Sequence, residues 1–213
     1  MVNNNREEYI CIGEESIRDL LGKYDGSDKN TEWSFVRDEE GVAVYRGVVN
    51  DSAWNCIKAV MTVECSAEDL AKQLNDPDQM SHFDEMTDNC RVIELLNPTG
   101  TSSIRYVQAK PVFPTTARDF LVVTTEQREE DVIVIGTKSI KHDAVPEDDA
   151  FVRAHTHVSG YIIRSMDEDR CQVTLIVHMD LCGYIPAYVI NLLSVSSPVK
   201  LLHRLQYLYG RKK

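Results

Sequence analysis

The sequence predicts an α+β fold, a curved antiparallel sheet of about nine strands around a long C-terminal helix. Two observations carry that prediction. Past Asn89, strand-like apolar segments follow one another with only turn-forming clusters between them, the pattern of hairpins rather than of β–α–β crossovers. After Asp180 the pattern changes. Tyr188, Val189, Leu192 and Leu193, then Leu201, Leu202, Leu205, Leu208 and Tyr209, fall at helical spacing. A sheet that curls leaves a concave apolar face, and such a helix is what covers it.

Each element has a local reason. Ile17, Leu20, Leu21 and Tyr24 form one apolar stripe in a helix over 14–24, which Gly26-Ser27-Asp28 ends. Two strands follow around 33–37 and 41–49, turned by Asp38-Glu39-Glu40-Gly41, and a third runs about 55–64. Ser66, with Asp69 three residues on, caps a helix over 67–75, and 79–86 reads as another short helix. Later strands are expected at 90–96, 102–110, 119–127, 131–141, 151–165 and 171–180. Asn97-Pro98-Thr99-Gly100, the segment 111–116, and the acid clusters at 129–131, 147–149 and 167–169 separate them as solvated tips. Pro186 suits a first helical turn, and Pro198 should kink or divide the terminal helix. No repeat or low-complexity linker interrupts the chain, so residues 1–213 read as a single domain with its core at about 30–210.

Of 213 residues, 43% are hydrophobic and 27% charged, the balance of a globular chain. The first residues are polar and include acids, unlike a targeting peptide, and no apolar run approaches the 18 or so residues of a membrane span. Six cysteines without a Cys-x-x-Cys pair point to reduced thiols in the cytoplasm. Charge is uneven. Up to Asp180 there are 18 basic and 34 acidic residues, a net −16; beyond it Lys200, Arg204, Arg211, Lys212 and Lys213 give +5. The overall −11 excludes nucleic acid as the expected partner. The basic tail has two readings: it complements a helix C-terminus, or it orients the protein at an anionic membrane surface.

Candidate chemistry is sparse. His155-x-His157 offers two zinc ligands but no third at a recognisable spacing, so no metal is expected. Asp119, Asp180, His142, His155 and His178 supply acid–base groups, yet no nucleophile elbow and no Gly-rich phosphate loop accompanies them. No catalytic residue and no cofactor is assigned.

Four pieces in order carry a family resemblance. Trp33 with Gly41-Val42-x-Val44-Tyr45 comes first, then Ala117-Arg118-Asp119-Phe120 opening a strand, then Val152-Arg153, then Asp180-Leu181-Cys182-Gly183-Tyr184-Ile185-Pro186 closing the last strand. Together they resemble the START domain, the lipid-transfer fold of the steroidogenic acute regulatory proteins and phosphatidylcholine transfer protein. The stretch from Ser103 to Phe120 is most similar to the phosphatidylcholine-transfer branch. The resemblance implies a helix-grip fold with an internal cavity for one lipid and a monomeric, cytoplasmic protein that touches membranes transiently. It also implies phospholipid rather than sterol. The alternatives are a lipid-sensing module without transfer, or an enzyme like the polyketide cyclases and hydratases of the same fold.

The resemblance also places the site. The choline-cage positions of the phosphatidylcholine branch fall on Val107, Phe120 and His157, and its phosphate-holding arginine on Met80. The buried acid–arginine pair of the sterol branch falls on Arg105 and Thr124 and is absent. If Val107 and His157 face the cavity, period-two alternation brings Arg105 inward beside Val107, and His155 and Arg153 inward beside His157; Thr124 and Glu126 follow Phe120. Arg105 then has three readings: an internal pair with an acid such as Glu126, a register slip that turns it to solvent, or a contact to the phosphate or carboxylate of a lipid. Phe83 and Leu192 complete the expected lining. Val112 and Phe113, with Ile185 and Tyr188 opposite, form the expected gate and membrane contact.

Overall fold

The computed structural model describes residues 3–50, 52–186, 189–190 and 196–211. Its frame is an antiparallel sheet whose strand order is β1-β2-β3-β10-β9-β7-β6-β5-β4. The strands are β1 (Thr31–Glu39), β2 (Val42–Val49), β3 (Cys56–Val63), β4 (Thr87–Leu95), β5 (Ser102–Ala109), β6 (Arg118–Arg128), β7 (Val132–Ser139), β9 (His155–Ser165) and β10 (Cys171–Asp180). A two-residue strand, β8 (Val152–Arg153), pairs in parallel with β6. The expected strand over 151–165 is therefore two, divided at Ala154.

Alternation sorts the side chains onto two faces. Val42, Val44, Ile57, Ala59, Val63, Ile133, Ile135, Ile163, Val173 and Leu175 point to the concave face. There they pack against α2 (Ala67–Asn75) through Leu70 and Leu74, and against α4 (Ser197–Tyr209) through Leu202 and Leu205. A 3-10 turn (Pro77–Gln79) and the short helix α3 (Met80–Phe83) follow α2, with Phe83 buried in the same cluster. Ser66 caps α2 as expected: its side chain accepts from the Asp69 amide at 3.1 Å. Within the described residues the terminal helix runs Ser197–Tyr209 with Pro198 in its first turn, and Val189 and Ile190 are helical ahead of it.

The convex face is covered by α1 (Asn3–Asp25), a longer helix than the stripe at 14–24 predicts. Tyr9, Ile10 and Ile12 extend the apolar contact onto Ile104, Tyr106, Leu121 and Val123, while Ile17 and Leu20 meet Val134, Val158, Ile162 and Ile176. The close approach requires glycines beneath the helix. A Cβ at Gly136 would lie 2.6 Å from Ser16 Oγ, and one at Gly160 3.0 Å from Leu20 Cδ2, besides 1.9 Å from the Ile135 carbonyl oxygen of the neighbouring strand.

Candidate functional site

The concave face changes character along its length. Toward the β9–β10 hairpin it is closed by the aliphatic contacts with α2 and α4. Elsewhere it carries polar and half-buried groups: Ser103, Arg105 and Val107 on β5, Phe120 and Thr124 on β6, Thr137 on β7, Ser159 and Tyr161 on β9. Thr124 Oγ1 lies 3.1 Å from Thr137 Oγ1, so that hydroxyl is satisfied within the sheet.

Arg105 is the most unusual member. It is 6% exposed, and burial lowers its guanidinium below the ordinary range. Its Nε donates to Ser103 Oγ at 2.9 Å. Its Nη2 donates to the Asn75 carbonyl at 2.9 Å and to Asn75 Oδ1 at 2.6 Å. The first of these acceptors is one of the carbonyls left open at the end of α2, so Arg105 caps that helix. No carboxylate touches Arg105 among the described residues; Asp76 and Glu126 act on it only through space. The expected direct pair with Glu126 is absent because Asn75 stands between them, donating Nδ2 to Glu126 Oε2 at 2.8 Å. Glu126 Oε1 in turn accepts from Arg128 Nε at 2.6 Å, and Arg128 also pairs with Glu68. Outside this relay lies a groove of about 520 Å³ lined by Glu68, Asn75, Asp76, Thr101, Glu126 and Arg128.

Two further polar groups reach the interior, and alternation alone could have found one of them. Tyr161 shares the face of Ile163. Burial pushes its hydroxyl well above the ordinary range, yet the side chain keeps accessible surface, and the hydroxyl has no hydrogen-bond partner among the described residues. Asp84, whose field raises Tyr161 further, is itself raised by burial and accepts from Thr87 Oγ1 at 2.8 Å and from the Met86 amide at 3.0 Å. Met80 is half-buried against the apolar cluster, and Val107 is buried.

His155, His157 and Arg153 do not face the interior. The β9–β10 ladder slips by one residue at His157, pairing His178 with Val158 and Met179 with Thr156, so His157 does not take the inward face that the resemblance implied, and His155, counted from it, goes with it. His157 stacks on His178 with ring centroids 4.4 Å apart, and His155 meets His157 edge-on at 4.8 Å. His178 Nε2 lies 3.0 Å from Ser52 Oγ and feels Lys23 and Asp28 at the end of α1, which places the cluster on the convex side. Burial lowers His178 to about 4 and lowers His157 as well. The cage positions on the concave face therefore reduce to Val107 and Phe120.

The Arg-Asp-Phe and Val-Arg pieces are architectural. Arg118 donates to the carbonyls of Thr116, Leu181 and Cys182 at 2.5, 3.2 and 3.1 Å, tying the loop after β5 to the loop after β10. These two loops carry Phe113, 89% exposed, and Tyr184, 87% exposed, with Val112 and Ile185 half-buried beside them. Tyr184 is a gate candidate that sequence reasoning missed. Tyr188 and Leu192 lie outside the described residues. Of the basic tail, Arg211 lies at the other end of the molecule, and Lys212 and Lys213 lie outside the described residues. The Arg211 amide donates to the Glu64 carbonyl at 2.8 Å and its guanidinium pairs with Asp169 at the β9–β10 hairpin. β10 runs from that hairpin to Asp180 in ten residues, nine steps or about 30 Å.

This fold, with its concave face covered by a terminal helix, is that of a helix-grip protein. The START domain family matches residues 14–207, and the chain belongs to it. It is 25% identical over 205 residues to the mitochondrial steroidogenic acute regulatory protein of Danio rerio, covering 93% of this chain and 70% of that one. It is 24% identical to the ceramide transfer protein of Xenopus laevis over 84% of this chain, but spans only 32% of that longer protein. Among solved structures, human StAR-related lipid transfer protein 5 superimposes with a TM-score of 0.85 at 19% identity, covering 96% of this chain and 97% of that one.

Proposed function

We propose that this chain binds one lipid non-covalently against its concave face and transfers it between membranes, without chemical turnover, favouring a phospholipid with an anionic group over a sterol. The observation that carries the preference is Arg105, a buried guanidinium that no carboxylate among the described residues touches. A charge held out of water is costly unless paired, and a bound phosphate or carboxylate supplies the missing partner. The sterol reading is disfavoured because Arg105 and Thr124 stand where that branch keeps its acid–arginine pair. Choline selection is disfavoured because, of the three cage positions, Phe120 alone brings an aromatic ring to the concave face. Each CH₂ removed from water is worth about 0.8 kcal/mol, so two acyl chains need an apolar enclosure between membranes. Phe113 and Tyr184, on loops that Arg118 ties together, present aromatic rings where such a protein touches the bilayer.

Purification followed by native mass spectrometry and organic extraction tests the proposal. A single co-purifying phospholipid, exchanged between vesicles by the purified protein, is the expected result. An empty protein that moves no lipid, or one that turns over a small ester or ketide, overturns it.

A further inference from the structure

We infer that Asn75 is the positioning residue that sets the ligand class of this site, by keeping the Arg105 charge unneutralised for a lipid whose polar end carries net negative charge. The inference rests on the lipid-binding reading above and adds a residue and a device to it. Its basis is the arrangement of three side chains from three elements. Asn75 is the last residue of α2, Arg105 lies on β5 and Glu126 on β6.

A buried arginine beside a buried glutamate ordinarily closes onto it, because each offsets the other's desolvation. Here the pair is held open. The Asn75 amide turns its oxygen to Arg105 Nη2 at 2.6 Å and its nitrogen to Glu126 Oε2 at 2.8 Å. An amide is an uncharged planar group that offers an acceptor to a cation on one side and a donor to an anion on the other. Glu126, 5% exposed at its side chain, is then neutralised by Arg128 instead, at 2.6 Å. Arg128 is the exposed member, reaching outward to Glu68. The anion of the relay is thus paired on its outer side, and the cation is left on its inner side. Nε and Nη2 of Arg105 are committed to Ser103 and Asn75, whereas Nη1 has no partner among the described residues. A phosphate or carboxylate oxygen there completes the guanidinium; a neutral hydroxyl head, or a zwitterion that carries its own cation, gains less.

The test exchanges the amide and the carboxylate. Asn75→Asp combined with Glu126→Gln keeps the heavy-atom count, the net charge and a donor–acceptor contact between positions 75 and 126, but places a carboxylate directly on Arg105. Uptake is measured from vesicles of phosphatidylcholine, phosphatidylserine and diacylglycerol in equal parts, beside the parent protein and Arg105→Met. Inorganic phosphate is titrated in a parallel arm. The expected result is a double variant that melts no lower than the parent and still takes up lipid, with the change falling on which lipid it selects. Its preference for phosphatidylserine should fall by about tenfold or more, the scale of a lost hydrogen bond to a charged group. Inorganic phosphate should compete for the parent and not for the double variant, showing that the anion itself is what Arg105 holds. A double variant that keeps the parent's preference overturns the role of Asn75. A melting loss with all lipids weakened equally also overturns it, because Asn75 would then only support the fold. Absence of lipid uptake by the parent overturns lipid binding itself, and saturable phosphate binding without uptake identifies a free anion as the ligand instead.

Discussion

Arg153 holds Asp119 through two parallel bonds, Nε to Oδ1 at 2.8 Å and Nη2 to Oδ2 at 2.9 Å, and Tyr106 adds its hydroxyl to Oδ2 at 2.9 Å. Asp119 is 1% exposed, so the pair is nearly dry on the carboxylate side. Arg153 also reaches the Pro146 carbonyl at 3.2 Å, so one contact fixes the segment before β8 as well as β8 itself. Asp119→Asn removes the charge and strands the guanidinium. Breaking a buried pair from one side costs about 3 kcal/mol or more. Partial exposure of Arg153 sets the expectation at the low end, a fall in melting temperature of roughly 6–12 °C. A thermal melt checks it; a change below 2 °C would mean that the pair contributes nothing net.

That contact also shows what was legible in the sequence. The pieces that identified the family, Arg118-Asp119 and Val152-Arg153, are the joints of the fold: one ties two loops together and the other docks β8 on β6. They specify architecture strongly and ligand weakly. Period-two counting put Arg105, Val107, Phe120 and Thr124 on one face because β5 and β6 pair without a bulge. The inward place that the resemblance implied for His157, from which His155 was counted, failed because the ladder slips at His157 itself, and nothing in the local sequence marks that slip. Asn75 was invisible for another reason. An asparagine at a helix end is ordinary, and its meaning comes only from Arg105 and Glu126, far away in sequence.

The histidine cluster gives the fold a pH dependence with a definite sign. His178 is held at about 4, chiefly by burial and then by His157, against about 6.5 when unfolded. A group with a depressed cationic pKa favours the folded state while neutral. Its contribution is full above about pH 6.5 and is lost as pH falls toward 4, roughly 2–4 kcal/mol in all. Melting curves from pH 7.5 to 4.5 should steepen downward below pH 6.5, and His178→Gln should flatten that part of the curve. Identical curves for parent and variant would remove the cluster as the cause.

Phe113 and Tyr184 should act in exchange and not in folding. Both side chains are almost wholly exposed, so Phe113→Asp and Tyr184→Asp are expected to leave the melting temperature within about 2 °C of the parent. Lipid exchange between vesicles should slow several-fold for each, and more for the pair. Unfolding of either variant, or unchanged exchange by the double variant, would take the gate away from these loops.

Tyr161→Phe separates an interior ligand contact from a structural one. Its hydroxyl has no protein partner among the described residues, so removing it should not destabilise the protein. If the hydroxyl meets the bound lipid, dissociation should quicken by a factor of about 2–10, the worth of a neutral hydrogen bond. Stopped-flow release of a fluorescent phospholipid measures it. A lower melting temperature with unchanged release would assign the hydroxyl to the fold.

Arg105→Met tests the centre of the proposed site. The substitution deletes a desolvated charge that no carboxylate among the described residues touches, which favours the fold, and leaves the Asn75 carbonyl and Ser103 Oγ without their donor, which opposes it. Glu126 is not stranded, since Asn75 and Arg128 still donate to it. The two effects are of similar size, so the melting temperature should move by no more than about 5 °C. The preference for phosphatidylserine over diacylglycerol should fall by about tenfold to a hundredfold, the range for a hydrogen bond to a charged group. Collapse of the fold, rescued by Glu126→Gln, would show instead that Arg105 balances Glu126 through space and that the cation is structural. Intact folding with an unchanged preference would show that the lipid's polar end lies elsewhere, with Asp84 and Tyr161 the next groups to substitute.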